Sequence, residues 1–273
     1  MEDSRTVAWA ETFLWQIALL VGLALLITAY LAPIEVMGWW SGWSERYLEP
    51  RRADLSKAVR APHSAGYFIV YLTGVHGFDK GTGAQKELDL ANNIAARLPS
   101  EAIVVDDVFP YSVSNNPLNG ERLFAFLWRW VDRNRRRLDA PVNLYNAIIA
   151  TRNIFQVAVS ADKRYGPVTN AGVAREITMS LLRHGYPPGS GKPVHIIGYS
   201  GGGQIGVGAA RYLCTALAAP IHIVSLGGFF TDDTSIAYVD RVDALQGSRD
   251  PLPWLGRVLY SGRWPVFPHT QWN

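Results

Sequence analysis

Apolar positions along the chain alternate between the continuous runs typical of buried strands and the three-to-four-residue spacing typical of helices. Continuous runs predict five strands, at residues 67–72, 102–105, 193–197, 221–226 and 239–245. Helical spacing predicts helices at 85–98, 121–138, 144–159, 171–184 and 253–260, and another from the residue after Ser200 to Leu217. Strands that alternate with helices predict an α/β fold, here a three-layer sandwich around a mostly parallel sheet.

A long apolar stretch precedes this region. Residues 12–36 carry only Gln16 and Glu35 as strongly polar side chains, and about 20 apolar residues are enough to cross a bilayer as a helix. We predict a retained single transmembrane helix; a buried core helix and a cleaved signal peptide are the alternatives. The predicted organisation is a tail at 1–11, the transmembrane helix at 12–36, a juxtamembrane linker at 37–64 and a globular domain at 65–273, with a helical insertion at 141–185.

The distribution of charge predicts how the transmembrane helix is oriented. Arg5 is the single basic residue before it, whereas five follow within the linker: Arg46, Arg51, Arg52, Lys57 and Arg60. The positive-inside rule therefore places the globular domain in the cytoplasm. A net charge of +3 over 273 residues is too weak to indicate a nucleic-acid partner. The lone cysteine, Cys214, lies among apolar helical residues and is interpreted as a core residue.

The candidate chemistry begins at Ser200. It occupies the middle of the pentapeptide Gly-Tyr-Ser-Gly-Gly at 198–202, between a predicted buried strand and a predicted helix. In that context G-x-S-x-G is typical of a nucleophile elbow, a sharp and strained turn that lifts the hydroxyl above the sheet. Gly198 and Gly202 must be small there, because a side chain would clash with the neighbouring strand or helix.

Two further loops follow predicted strands. His76-Gly77-Phe78 comes after the first strand, and Gly247-Ser248-Arg249-Asp250-Pro251 comes after the last. The carboxyl ends of parallel strands meet at one edge of a sheet, where α/β proteins carry their sites. With these three loops in this order, residues 65–253 resemble the α/β-hydrolase superfamily.

That resemblance implies a role for each residue. Ser200 would be the nucleophile and Asp250 the acid that orients the general base. The N–H groups of Gly201 and Phe78 would form the oxyanion hole, and His76 and Gly77 would shape the oxyanion loop. The family order places the basic histidine after Asp250, where His269 is the one histidine present.

The predicted base has three interpretations. A helix and a strand normally separate acid and histidine in the superfamily; 253–260 predicts the helix, and 264–267 is at best a strand interrupted by Pro265. Either His269 is the base on a shortened end, or the base lies in a longer chain beyond residue 273, or the protein lacks one. His184, His195 and His222 precede the acid, and the last two are interpreted as core residues of strands.

The resemblance implies a serine hydrolase, esterase- or lipase-like, that cleaves an ester, thioester or amide of a small-molecule or lipid substrate through an acyl-enzyme. It implies no metal and no organic cofactor. The alternative is a catalytically inactive interaction protein of the same fold at the membrane. The glycines at 201, 203 and 206 also match a dinucleotide fingerprint, but residues 211–231 lack the acid that would bind a ribose.

Overall fold

The computed structural model describes residues 65–78, 85–118, 125–137, 144–266 and 272, together with four isolated helical positions, Trp15, Leu19, Leu23 and Ile34. Apart from those four positions, the predicted tail, transmembrane helix and linker lie outside the described residues. Within the described part of the chain, no helix is both long and apolar enough to cross a membrane.

The centre of the fold is a parallel sheet of five strands. These are β1 (Tyr67–Leu72), β2 (Ala102–Val105), β3 (Val194–Tyr199), β4 (Ile221–Leu226) and β5 (Arg241–Leu245). Their order across the sheet is β2-β1-β3-β4-β5, and every neighbouring pair is parallel. The predicted α/β fold with a parallel sheet is therefore confirmed, and the carboxyl ends of all five strands share one edge.

Six helices connect and flank the strands in the described residues: α1 (Gln85–Ala95), α2 (Ala125–Arg137), α3 (Leu144–Ala161), α4 (Gly166–Arg183), α5 (Gly201–Leu217) and α6 (Leu252–Leu259). Short 3₁₀ turns occupy Thr234–Tyr238 and Ser261–Arg263. Helix α4 begins five residues before its predicted start, because a proline in the first turn is compatible with a helix beginning there. The strand considered at 264–267 does not form over 264–266, which are a bend and a turn; Pro265 lacks the N–H that a ladder needs.

The alternating side chains of β1 separate two apolar layers. Phe68, Val70 and Leu72 enter the main core, whereas Ile69 and Tyr71 face the opposite side of the sheet. Helix α1 covers that opposite side, and the main core is built from α5 with α3 and α4 packed against it. The predicted insertion therefore forms an outer layer over the helix that follows Ser200. Cys214 packs half-buried against this core.

Candidate active site

Ser200 has an unusual backbone conformation at the junction of β3 and α5. Its φ is 50° and its ψ is −120°, a region that residues with a side chain rarely occupy. The bend is held on both sides, since the Ser200 N–H donates to the carbonyl of Leu226 at 2.9 Å and its own carbonyl accepts from the Gly203 N–H at 3.1 Å. Ser200 is the N-cap residue of α5, yet its hydroxyl makes no capping bond to the first turn of that helix. The Ser200 hydroxyl is therefore not used to cap α5, and the side chain is half-buried.

Tight packing on either side of Ser200 explains its two flanking glycines. A Cβ added to Gly198 would lie 2.5 Å from the backbone nitrogen of Gly203, and one added to Gly202 would lie 2.6 Å from the carbonyl oxygen of Leu72. Both neighbours are backbone atoms, which cannot rotate away. The turn therefore has room for glycine alone at these positions, for the steric reason that the sequence suggested.

Gly201 brings the elbow into contact with the loop after β1. A Cβ on Gly201 would lie 2.9 Å from a methyl of Val75 and 2.8 Å from a methyl of Val157 on α3. The first residue of α5 is thus enclosed between that loop and the insertion. The loop that carries His76, Gly77 and Phe78 consequently runs beside the residue that follows the serine.

Three buried side chains hold the main chain of this loop. The Tyr111 hydroxyl donates to the carbonyl of Thr73 at 2.8 Å, and the Gly74 N–H donates to Oε1 of Glu87 at 2.7 Å. The Asn153 amide, on α3, donates to the carbonyl oxygens of Val75 and Gly77. Within the loop, Phe78 is buried with the Arg135 guanidinium 4.9 Å from its ring centre, and His76 is exposed.

Two of the groups around the loop are ionisable and buried. Burial raises the pKa of the Glu87 carboxyl above its usual value, although its bonds with Gly74 and Tyr71 oppose that change. Arg152, beside Asn153 on α3, is 1% exposed and donates to the carbonyl of Tyr111 at 2.6 Å. Polar groups of this kind are rarely buried unless they are hydrogen-bonded. Glu87 holds the N–H of Gly74 in the loop, whereas Arg152 holds the amide oxygen of Asn153 and the carbonyl of Tyr111.

Sequence reasoning missed Glu87, Tyr111, Arg152 and Asn153. One signal was available for Asn153, which lies four residues from both Ile149 and Val157 and thus shares the buried face of α3 with them. An asparagine on an otherwise apolar helix face indicates a buried polar partner. The pattern does not indicate which loop supplies that partner.

Asp250 lies at the same sheet edge, beyond β5. Its Oδ1 accepts from the Leu252 N–H at 3.0 Å and caps the start of α6, while its N–H donates to the carbonyl of Gly247. A Cβ on Gly227, the residue after β4, would lie 3.0 Å from Oδ2. The register pairs Tyr199 with Leu226 and Leu226 with Leu245. Ser200, Gly227 and the loop of Asp250 therefore follow three adjacent strands at one edge.

Of the histidines in the described residues, His76 is the one that lies in a loop directly after a strand. His195 and His222 meet edge to face near the starts of β3 and β4, with ring centres 4.9 Å apart. His195 is five residues before Ser200, about 16 Å at 3.3 Å per residue. His184 lies at the end of α4, where its Nδ1 is 2.9 Å from the carbonyl oxygen of Ser180. His269 lies outside the described residues.

A cavity of about 270 Å³ lies away from the predicted site residues. It is bordered by the end of α3, α4, α5 and the segment 232–235, and Asn170, Arg211 and Asp233 are among its lining residues. None of Ser200, Asp250 and Phe78 lines it.

Comparison of the chain with protein-family models, with curated proteins and with solved structures finds no match.

Proposed function

We propose that this protein is a serine hydrolase of the α/β-hydrolase type that cleaves an ester, thioester or amide bond through an acyl-enzyme on Ser200. The observation that carries the proposal is the backbone of Ser200, with a φ of 50° and a ψ of −120° between a central parallel strand and a helix. A non-glycine residue is kept in such a conformation only when its surroundings impose it, and such strain clusters at functional sites. The strand–turn–helix context is the one in which G-x-S-x-G indicates a nucleophile.

In the proposed reaction, Oγ of Ser200 attacks the substrate carbonyl carbon while its proton passes to a general base. The carbonyl oxygen becomes an oxyanion that accepts hydrogen bonds from the N–H groups of Gly201 and Phe78. Collapse of this tetrahedral intermediate breaks the bond to the leaving group, which takes the proton back from the base. Water then attacks the acyl-enzyme by the same route and releases the acid. Backbone donors aimed at the developing charge commonly give the largest electrostatic contribution in such reactions.

In this proposal Asp250 orients the base through Oδ2, because Oδ1 already caps α6. The base in this proposal is His269. General-base assistance is typically worth about 10²–10⁴-fold. A site without it would therefore be slow, and the preorganised oxyanion hole would still be present.

The membrane anchor is a second part of the proposal. The apolar stretch 12–36 would hold the domain at the cytoplasmic face of a bilayer, near lipid acyl substrates. The surface of α6 supports this placement, because it contains Arg257 and no acidic residue and leaves five apolar side chains exposed: Leu252, Trp254, Leu255, Val258 and Leu259. Full-length protein should remain with membranes after carbonate extraction, and a variant lacking 12–36 should be released. Release of the full-length protein would contradict the anchor.

An inactive protein of the same fold remains the second candidate, favoured by one observation. None of the four histidines in the described residues follows Asp250, where the family order places the base. Such a protein would keep the fold and the membrane location and would bind a partner without turnover.

A fluorophosphonate probe distinguishes the two candidates, because an activated serine displaces its fluoride and becomes phosphonylated, whereas an inactive serine does not react. We expect the full-length protein to be labelled in membranes and Ser200→Ala to abolish labelling. Ser190→Ala, at an exposed serine in the turn before β3, is the matched control and should label like the wild type. Labelling that survives Ser200→Ala would overturn the assignment of the nucleophile, and folded wild-type protein that never reacts would favour the inactive candidate.

A further inference from the structure

The side-chain amide of Asn153 spans two peptide groups of the oxyanion loop. Its Nδ2 donates to the carbonyl oxygen of Val75 at 2.8 Å and to that of Gly77 at 2.7 Å. These carbonyls flank His76, so one side chain fixes both ends of the turn that leads to Phe78. Asn153 is fully buried, so water does not compete for these bonds.

The bond to Gly77 also determines the direction of the next N–H. The carbonyl of Gly77 and the N–H of Phe78 belong to the same peptide group, and in a planar trans peptide these two groups point in opposite directions. Holding the Gly77 oxygen towards α3 therefore directs the Phe78 N–H away from α3. Val75 of the same loop packs on Gly201, whose N–H is the other predicted donor.

A neighbouring side chain fixes which way the amide of Asn153 is turned. Arg152 donates from Nη1 to Oδ1 of Asn153 at 3.1 Å and to the carbonyl of Tyr111 at 2.6 Å. An arginine only donates hydrogen bonds, so the oxygen of the amide must face Arg152. The nitrogen is left to face the loop, where both neighbours are acceptors.

We propose that Asn153 is a positioning residue that sets the direction of the Phe78 N–H in the oxyanion hole, through its bond to the carbonyl of Gly77. The inference rests on the proposed hydrolase function for its catalytic consequence. Asn153 touches no reacting atom and acts through the peptide group that it holds. In this proposal the predicted helical insertion also has a role, because it supplies the side chain of Asn153.

Asn153→Asp tests this role, because it keeps the shape of the side chain. It replaces the amide nitrogen, which donates both hydrogen bonds, by a carboxylate oxygen, which can only accept. Removal of an oxyanion-hole donor commonly costs about 10²–10³-fold in kcat. We expect fluorophosphonate labelling and the kcat for p-nitrophenyl acetate to fall by roughly 10²-fold, with KM changed by less than about threefold, since the loss is confined to the transition state. If the aspartate variant does not fold, Asn153→Ala removes the donor without adding a charge.

Asn170→Asp on α4 is the matched control. Asn170 is also buried, donating from Nδ2 to the carbonyl of Ser160 at 3.0 Å and accepting from the Ser160 hydroxyl at 2.6 Å. The same chemical change there should lower the thermal stability and leave the kcat and labelling rate of the folded protein within about twofold of the wild type. Equal kcat losses in the two variants would overturn a specific role for Asn153.

Amide hydrogen exchange separates failure of the inference from failure of the proposed function. Residues 74–78 should exchange faster in the Asn153 variant than in the wild type and in Asn170→Asp, whether or not the protein turns over a substrate. Unchanged exchange in this loop, or an Asn153 variant with wild-type kcat, overturns the positioning role. If the wild type is unreactive but residues 74–78 exchange faster in Asn153→Asp, the hydrolase proposal is contradicted and the positioning role is not.

Discussion

Oδ2 of Asp250 lies so close to Gly227 that a Cβ on the glycine would be 3.0 Å away. Gly227 also has a φ of 60°, a left-handed conformation that costs a residue with a side chain about 1–2 kcal/mol. The end of β4 thus limits where the predicted catalytic acid can lie.

Gly227→Ala should therefore lower both stability and turnover. We expect the free energy of unfolding to fall by about 1–2 kcal/mol from the backbone strain, and the kcat for p-nitrophenyl acetate to fall because the methyl displaces Asp250. Gly189→Ala is the matched control, since Gly189 has a φ of 70° and nothing within 4 Å of an added Cβ. It should lose similar stability and keep its kcat, as measured by denaturant unfolding and ester hydrolysis. Equal kcat values in the two variants would contradict the importance of this contact.

Alanine at the elbow glycines should destabilise the fold itself. Gly198→Ala and Gly202→Ala place a methyl about 2.5 Å from backbone atoms, and overpacking of this kind costs about 1–3 kcal/mol or more. Gly66→Ala, whose nearest neighbour would be 3.9 Å away, should change the free energy of unfolding by less than about 0.5 kcal/mol. Thermal denaturation in detergent measures all three. If Gly198→Ala and Gly202→Ala are as stable as Gly66→Ala, the turn has room for a methyl group at both positions.

Glu87 should make the protein less stable as the pH rises. Burial raises the pKa of this carboxyl in the folded state above the ordinary value of 4.5, so between those two pKa values the folded state binds more protons than the unfolded state. The free energy of unfolding contributed by this group then decreases as the pH rises through that window. Glu87→Gln, which keeps an oxygen to accept from Gly74, should remove this decrease.

Urea unfolding of the wild type and Glu87→Gln across a pH series from about 4 to 7 measures the effect. The quantity to compare with pH is the difference between their free energies of unfolding. A difference that is flat with pH would show that burial does not raise the pKa of Glu87.

His195 should make the protein less stable as the pH falls below about 6.5. Burial, helped by the neighbouring His222, lowers the pKa of His195 below its ordinary value of 6.5. The unfolded state therefore binds more protons just below that pH, and stability falls as the pH drops from 6.5 towards the folded-state pKa. His195→Gln should show a weaker loss of stability over this interval in thermal melts. A His195 variant with the same acid dependence as the wild type would contradict the prediction.

The sheet was predictable because each inner strand is mostly apolar. Buried parallel strands appear as continuous hydrophobic runs, and β1 and β4 fall at their predicted residues. The elbow was predictable because its glycines and strand–helix context are local in sequence. The start of α4 was not predictable, because a proline is compatible both with the end of a helix and with the first turn of one.

The side chains that hold the loop after β1 could not be predicted from the local sequence pattern. Glu87 lies 13 residues after Gly74, and Asn153 lies 76 residues after Gly77, so both contact the loop from helices further along the chain. Periodicity shows that Asn153 lies on a buried face, but the partner depends on how α3 packs over α5. Only the tertiary arrangement brings a helix of the insertion to the carbonyls of Val75 and Gly77.

Because Asn153 on α3 holds the carbonyl of Gly77, loss of α3 would leave this carbonyl without its buried donor. A relative that has lost α3 would need another donor beneath the same carbonyl, or a loop of different shape. Across such relatives, the residue equivalent to 153 and the length of this segment should change together with the sequence around His76.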